Sequence, residues 1–284
     1  MIVVTGATGQ LGRLTITALL RTVPASQIVA AVRNPAKAAD LAALGVQVRQ
    51  ADYNQPASLD TALAGASKLL LISSSEVGQR EPQHRAVIEA AQRAKVSLLA
   101  YTSILHADTT VLGLAREHQA TEALLRASGL PVVLLRNGWY IENYTGHLEP
   151  ALAHGAILGN AGDGRISAAA RADYAEAAAA VLTREQQAGK VYELAGDTPF
   201  TKAELAAEVS RQAGQPVVYK NLSQAEHEAA LLQAGLPAPF AALLADTDAG
   251  VAHGALFDDG HQLKALIGRP TTPLATVVAA ALKR

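Results

Sequence analysis

The chain has 284 residues, half of them hydrophobic, which is enough for a large buried core and too much for extended disorder. Its 24 Lys and Arg are set against 25 Asp and Glu, with no basic cluster interleaved with aromatics, which argues against nucleic acid and a charged membrane surface as partners. There is no cysteine, excluding disulfides, thiolate catalysis and thiolate metal sites, and the eight His lack ligand spacing, so no metal is expected.

Met1 to Thr5 runs directly into a strand-like segment with no basic leader, and no apolar stretch is long enough to span a bilayer; the expected location is cytoplasmic. Short β-branched runs then alternate with helix-patterned segments. The predicted strands are Ile2–Thr5, Ile28–Val32, Val46–Gln50, Lys68–Ile72, Ser97–Thr102, Pro131–Arg136 and Val191–Leu194. Helices are expected near Leu11–Arg21, Pro35–Leu44, Ser58–Ala64, Gln83–Ala94 and Leu114–Ala127, with Gly45 and Gly129 as stop signals. Such alternation predicts an α/β fold of Rossmann type, a doubly wound parallel sheet with helices on both faces.

From Asn137 to Gly164 the rhythm breaks into a Gly- and Asn-rich stretch, read as a substrate-facing insertion. A helix opens near Asp173, whose carboxylate is expected to cap it. Beyond Pro199 come an amphipathic helix after Phe200-Thr201, a strand at Val217–Tyr219 and a mostly helical remainder. The expected division is therefore a nucleotide-binding domain over 1–199 and a smaller α-rich lobe over 200–284. Apolar helices of that lobe could pack within one chain or between two, which leaves a homodimer open.

Gly6, Gly9 and Gly12 stand three apart, directly after the first strand and at the start of the first helix. In Thr5-Gly6-Ala7-Thr8-Gly9-Gln10-Leu11-Gly12, Gly6 suits a tight turn and Gly9 lets backbone approach a diphosphate. Gly12 lets the helix pack close. The helix N-terminus then holds the phosphates, with Thr8, Gln10 and Leu11 lining the loop.

At the end of the second strand, where an NAD-binding fold carries an acid for the ribose hydroxyls, stands Arg33. Its planar fork suits a 2′-phosphate, and Lys37 adds charge, so NADPH is the expected cofactor. Asp52, after the third strand, could accept from an adenine amino group or simply close its own turn. Ser73, Ser74 and Ser75, after the fourth, could line a ribose.

Together with Val32-Arg33-Asn34-Pro35, Leu70 to Arg80 (LLISSSEVGQR) and Leu135-Arg136-Asn137-Gly138-Trp139-Tyr140, the glycine loop makes the sequence resemble the NmrA-like atypical short-chain dehydrogenases. Within that group it is most similar to the bacterial type 2 NAD(P)H:quinone oxidoreductases, over its whole length. The resemblance implies NADPH as hydride donor, no flavin, and a small quinone held between lobes. Triphenylmethane dye reductases are similar in the glycine loop, the Val32-Arg33-Asn34 turn and His118–Glu122, and differ around Ser74–Arg80 and Trp139–Asn143. NmrA-type redox sensors, which bind NADP(H) without turnover, are the alternative from another class.

Most short-chain dehydrogenases pair a Tyr with a Lys four residues later, the Lys lowering the phenol pKa. None of the seven tyrosines here has that partner, and the lysine position of the wider group corresponds to His118. His118 is a candidate for steadying the nicotinamide ribose or supplying a proton, and Tyr101 and Ser103, at the fifth strand's end, are candidates for positioning the reacting rings. Asn137, Gly138, Trp139 and Tyr140 are candidate cofactor contacts, and Asn143 a donor to a quinone oxygen. Gly78 and Arg80 belong to a loop that could fold over the nicotinamide.

Overall fold

The computed structural model describes residues 1–146 and 148–283. Its first half is a run of strand–helix units: β1 (Ile2–Val4), α1 (Gln10–Leu19), β2 (Ile28–Val32), α2 (Ala39–Ala43), β3 (Gln47–Gln50), α3 (Pro56–Leu63), β4 (Lys68–Leu71), α4 (Arg80–Ala94), β5 (Leu98–Ile104), α5 (Ala115–Ala127) and β6 (Val132–Asn137). There follow α6 (Glu142–Thr145), α7 (Glu149–His154), β7 (Ala156–Gly159), α8 (Arg171–Thr183) and β8 (Val191–Leu194). The remainder is α9 (Lys202–Ala213), β9 (Val218–Asn221), α10 (Gln224–Gln233), α11 (Ala238–Ala252), α12 (Gln262–Ile267) and α13 (Leu274–Ala281).

Seven strands form one parallel sheet in the order β3-β2-β1-β4-β5-β6-β8. The Val, Ile, Leu and Ala of β1, β2, β4 and β5 are buried on both faces, as parallel strands under helices must be. One face packs Ile16, Leu19, Tyr174, Val181 and Leu263, from α1, α8 and α12, against Val4, Ala30 and Leu70. The opposite face packs Leu59, Leu63, Val87, Ile88 and Leu125, from α3, α4 and α5, against Val3, Leu69, Leu71 and Tyr101. The chain steps from β1 to β2 and β3 on one side and returns to β4 on the other. A crevice therefore opens at the carboxyl ends of β1 and β4, where strand order reverses.

The expected Asn137–Gly164 insertion carries α6, α7 and β7, and β7 pairs in parallel with β9, Ala156 opposite Val218 through Gly159 opposite Asn221. A third core joins Ile141, Leu148 and Ala161 of this segment to Phe200, Leu205, Val209 and Val251. The insertion is thus sequence-distant but spatially part of the small lobe. Capping boxes, Thr201 with Glu204 and Ser223 with Glu226, set the starts of α9 and α10. A buried Lys202–Asp248 pair at 2.5 Å, with the Asn160 amide donating to the same carboxylate, ties α9, α11 and the end of β7 together.

Several details differ from the sequence expectation. The segment 35–44 opens as a short 3-10 turn, Pro35–Ala38, because Asn34 caps it through the Ala36 amide. The small-lobe strand begins one residue later than predicted, at Val218, and is set by pairing with β7. Asp173 does not cap α8: it accepts from Arg269 at 2.7 Å and from Thr272 N and Oγ1 at 2.8 and 3.0 Å, anchoring the C-terminal segment. The Glu142 carboxylate takes the Arg171 amide at the start of α8 instead. Both groupings pair residues about thirty to a hundred positions apart, which local spacing does not reveal.

Candidate active site

The glycine loop lies at the crevice floor, between β1 and α1. Gly6 has φ +58, the left-handed conformation that disfavours a side chain. At Gly12 a Cβ would stand 2.5 Å from Gly6 O and 2.7 Å from Ala7 Cα, so only glycine lets the loop lie on the helix. Gly9 is exposed and begins α1 with no side-chain cap, leaving the first-turn amides of Gln10, Leu11 and Gly12 directed outward from the helix end. Leu11 buries its side chain in the core, so its contribution to this edge is its backbone. Thr8 accepts the Arg13 Nε–H through its carbonyl, which fixes the loop from the side.

Just past the carboxyl ends of β2, β3 and β4 stand Arg33, Asp52 and the serines. Arg33 is largely exposed and donates to Glu76 Oε1 at 2.7 Å across the crevice mouth. Asp52 closes an Asx turn through the Asn54 amide at 3.0 Å and accepts from Gln55. Ser73 N donates to Thr102 Oγ1, Ser74 N donates to His84 Nε2, and Ser75 is exposed.

The loop from Ser73 to Arg80 is held from behind by buried side chains. Arg80 Nε donates to Ser74 O at 2.6 Å, and Glu117 Oε1 accepts from the Gly78 and Arg80 amides at 2.8 and 3.3 Å. Arg80 Nη1 meets His118 Nε2 at 3.3 Å, and His118 Nδ1 meets Tyr101 Oη at 2.8 Å. Because arginine only donates, His118 Nε2 accepts, and its Nδ1–H donates to Tyr101. The same reasoning makes His84 accept from Ser74 and donate through Nδ1 to Thr121 Oγ1 at 2.9 Å, while Thr121 donates to Glu117 O.

Burial, then the neighbouring Arg80 charge, pushes both imidazoles down to about 3, so each is neutral at physiological pH. Burial pushes the Tyr101 phenol above its ordinary value. His118 and Tyr101 are 4% and 0% exposed, with both His118 nitrogens engaged within the protein; they form a brace behind the loop.

Asn137, Gly138, Trp139 and Tyr140 leave β6 along the crevice's other wall. Asn137 is buried, and its Oδ1 has no hydrogen-bond partner among the described residues. Gly138 is closed off by Tyr174: a Cβ there would stand 3.0 Å from Tyr174 Oη. Trp139 packs on the small-lobe core, and Tyr140 packs edge-on against Tyr174, ring centroids 5.2 Å apart. Asn143 is exposed on α6, next in line.

Arg171, at the start of α8, lies over the Tyr140 ring, 4.6 Å from its centroid, and reaches Gln10 Oε1 and Asn143 Oδ1. Arg171, His84, Glu117 and Thr121 carry no site role in the sequence expectation. The i, i+4 pairs Arg80/His84 and Glu117/Thr121, polar on helix faces turned inward, are the signal that could have found the brace. No group of three or more His, Asp or Glu that could hold a metal occurs among the described residues.

An uncapped helix end at a topological switch point, an arginine in place of the ribose acid and an orphaned amide oxygen are features that fit a phosphorylated nicotinamide dinucleotide. They define a Rossmann-type nucleotide-binding oxidoreductase fold. The family described as NAD(P)H-binding matches residues 6–185, and the chain belongs to it. It is 59% identical to quinone oxidoreductase 2 of Escherichia coli (strain K12) over 278 residues, 98% of this chain and 97% of that protein.

The crystal structure of an NADPH-dependent quinone oxidoreductase from Escherichia coli, complexed with NADPH, superposes with a TM-score of 0.97 at 58% identity, covering 99% of this chain and 100% of that one. The triphenylmethane reductase of Citrobacter sp., complexed with NADP(H), superposes with a TM-score of 0.94 at 42% identity, covering 99% and 100%. Among the described residues no helix is long and apolar enough to cross a membrane.

Proposed function

We propose that this protein is an NADPH-dependent quinone oxidoreductase that reduces a small quinone to its hydroquinone without flavin, in the cytoplasm. The observation that carries the reading is the uncapped glycine-loop end of α1, with Arg33 just past the carboxyl end of the neighbouring strand β2, in a chain similar end to end to quinone oxidoreductase 2. NADPH supplies the hydride when bound; the quinone takes that electron pair and one further proton, and NADP+ leaves.

The protein's own part is positioning. The first-turn amides of Gln10, Leu11 and Gly12, with Thr8 lining the loop and Gly6 and Gly9 giving close approach, take the diphosphate, and Arg33 turns from Glu76 to the 2′-phosphate. Asp52 and Ser73–Ser75 border the adenosine side, while Asn137 Oδ1 and the backbone of Gly138–Tyr140 border the nicotinamide side. Asn143 donates to a quinone oxygen. Tyr101 and His118 serve by holding Arg80 and the loop above it, and solvent supplies the proton. Residues 1–199 form the cofactor domain and 200–284 the small lobe, to which the insertion lends its core residues.

The test follows NADPH absorbance with purified protein and benzoquinone. NADPH is consumed well above the uncatalysed rate, and Arg33→Glu weakens NADPH binding by about 10- to 100-fold, the worth of a charge-assisted hydrogen bond. No consumption above the uncatalysed rate overturns the reaction. Unchanged NADPH affinity in Arg33→Glu, or equal use of NADH, overturns the assignment of Arg33.

A further inference from the structure

Arg171 touches both sides of the crevice, and its backbone is fixed there: both Glu142 carboxylate oxygens accept its amide at 3.0 Å. Its side chain lies flat on Tyr140, reaches Gln10, the first residue of α1, and meets Asn143 Oδ1 at 3.4 Å. Every one of these side-chain partners is neutral. Among the described residues no carboxylate lies within ion-pair distance of this guanidinium, whereas Arg33 across the crevice is paired with Glu76. An unneutralised planar fork, steadied on an aromatic face beside uncapped backbone amides, is built to take an anion bidentately.

We infer that Arg171 is a cofactor-positioning residue that binds the dinucleotide's diphosphate and, by turning to it, gives up Asn143. The inference rests on the NADPH reading above. A phosphate oxygen carries negative charge that the neutral amide oxygens of Gln10 and Asn143 lack and can take the guanidinium bidentately, and the 3.4 Å contact to Asn143 is the longer of the two to be lost. The contact engages Asn143 Oδ1 alone, so the Asn143 NH2 stays available to an acceptor oxygen throughout, and the turning of Arg171 changes only what holds the carboxamide in place.

The test is calorimetric titration of the intact protein with two ligands, NADPH and adenosine 2′-monophosphate, which carries the 2′-phosphate but no diphosphate. Arg171→Ala is expected to raise the NADPH dissociation constant about 10- to 100-fold and leave that of adenosine 2′-monophosphate unchanged; Arg171→Lys recovers part of the loss. Arg33→Ala weakens both ligands. An NADPH loss below about fivefold in Arg171→Ala, an equal loss for both ligands, or a lysine variant no better than alanine overturns the inference. If Arg33→Ala leaves adenosine 2′-monophosphate binding unchanged, the underlying cofactor reading fails instead, whatever Arg171 does.

Discussion

Two loops flank the crevice, and they are made in opposite ways. Gly6–Gly12 is a backbone device: its shape follows from what a missing Cβ allows, and its binding groups are main-chain amides at an open helix end. Ser73–Arg80 is a side-chain device. Its backbone has little regular structure and is held by Arg80, His84, Glu117 and Thr102, all reaching forward from helices and strands behind it. The first can be abolished by adding one methyl group, whereas the second loosens only when a buried polar partner is lost or charged. The difference predicts separate responses to pH and to substitution.

The largest effect should come from acid, chiefly through the second loop, with the buried His227 of α10, whose pKa burial also lowers, adding to it. His84 and His118 are neutral in the folded protein, their pKa values pushed down to about 3 by burial and by Arg80. In the unfolded chain each takes up a proton near its ordinary value. Stability is therefore complete above about pH 6.5 and is lost as pH falls from there toward 3, by about 2 kcal/mol for each histidine at pH 5. Urea midpoints between pH 7.5 and 5 measure this, and His118→Gln should remove about half of the slope. The same neutrality predicts that kcat shows no step near pH 6.5; a step there that vanishes in His118→Gln would make the imidazole a proton donor.

A smaller effect is expected at the glycine loop. Gly12→Ala puts a Cβ against Gly6 O and Ala7 Cα, which are backbone atoms that yield only by moving the turn. Overpacking of this kind costs about 1–3 kcal/mol of stability. NADPH affinity should fall with it if, as proposed, the displaced amides hold the diphosphate. The slope of stability with pH should stay as in the wild type. If Gly12→Ala changes that slope, the two loops are one unit and the contrast between them fails.

The same contrast explains what could be read from sequence. Gly6, Gly9 and Gly12 were legible because their requirement is local, imposed by turn and helix within seven residues. Arg33 was legible because its strand-end position is fixed by the alternation of elements. The brace was not: Tyr101 and His118 stood out as polar residues near the site, but their partners Arg80, His84, Thr121 and Glu117 come from two helices packed side by side. Sequence shows that such residues are polar, not that they face inward toward one another. Asp173 shows the same limit, since an acid at a helix start has a ready local use, yet here it anchors Arg269 and Thr272 almost a hundred residues away.

The finest test of the comparison is Glu117→Gln. Glu117 Oε1 accepts the Gly78 and Arg80 amides, while its other oxygen faces Arg80 at 3.9 Å and has no hydrogen-bond partner among the described residues. Gly78, at φ +87, has open space where a Cβ would stand, and its amide is held by Glu117. Glutamine keeps the acceptor but removes the charge, which should cost about 1 kcal/mol, the difference between a charged and a neutral acceptor. Hydrogen exchange should quicken at the Gly78 and Arg80 amides and stay unchanged at Gly9 and Arg13 in the glycine loop. Faster exchange in both places would mean that the side-chain brace also supports the backbone device, and that the two walls of the crevice open together.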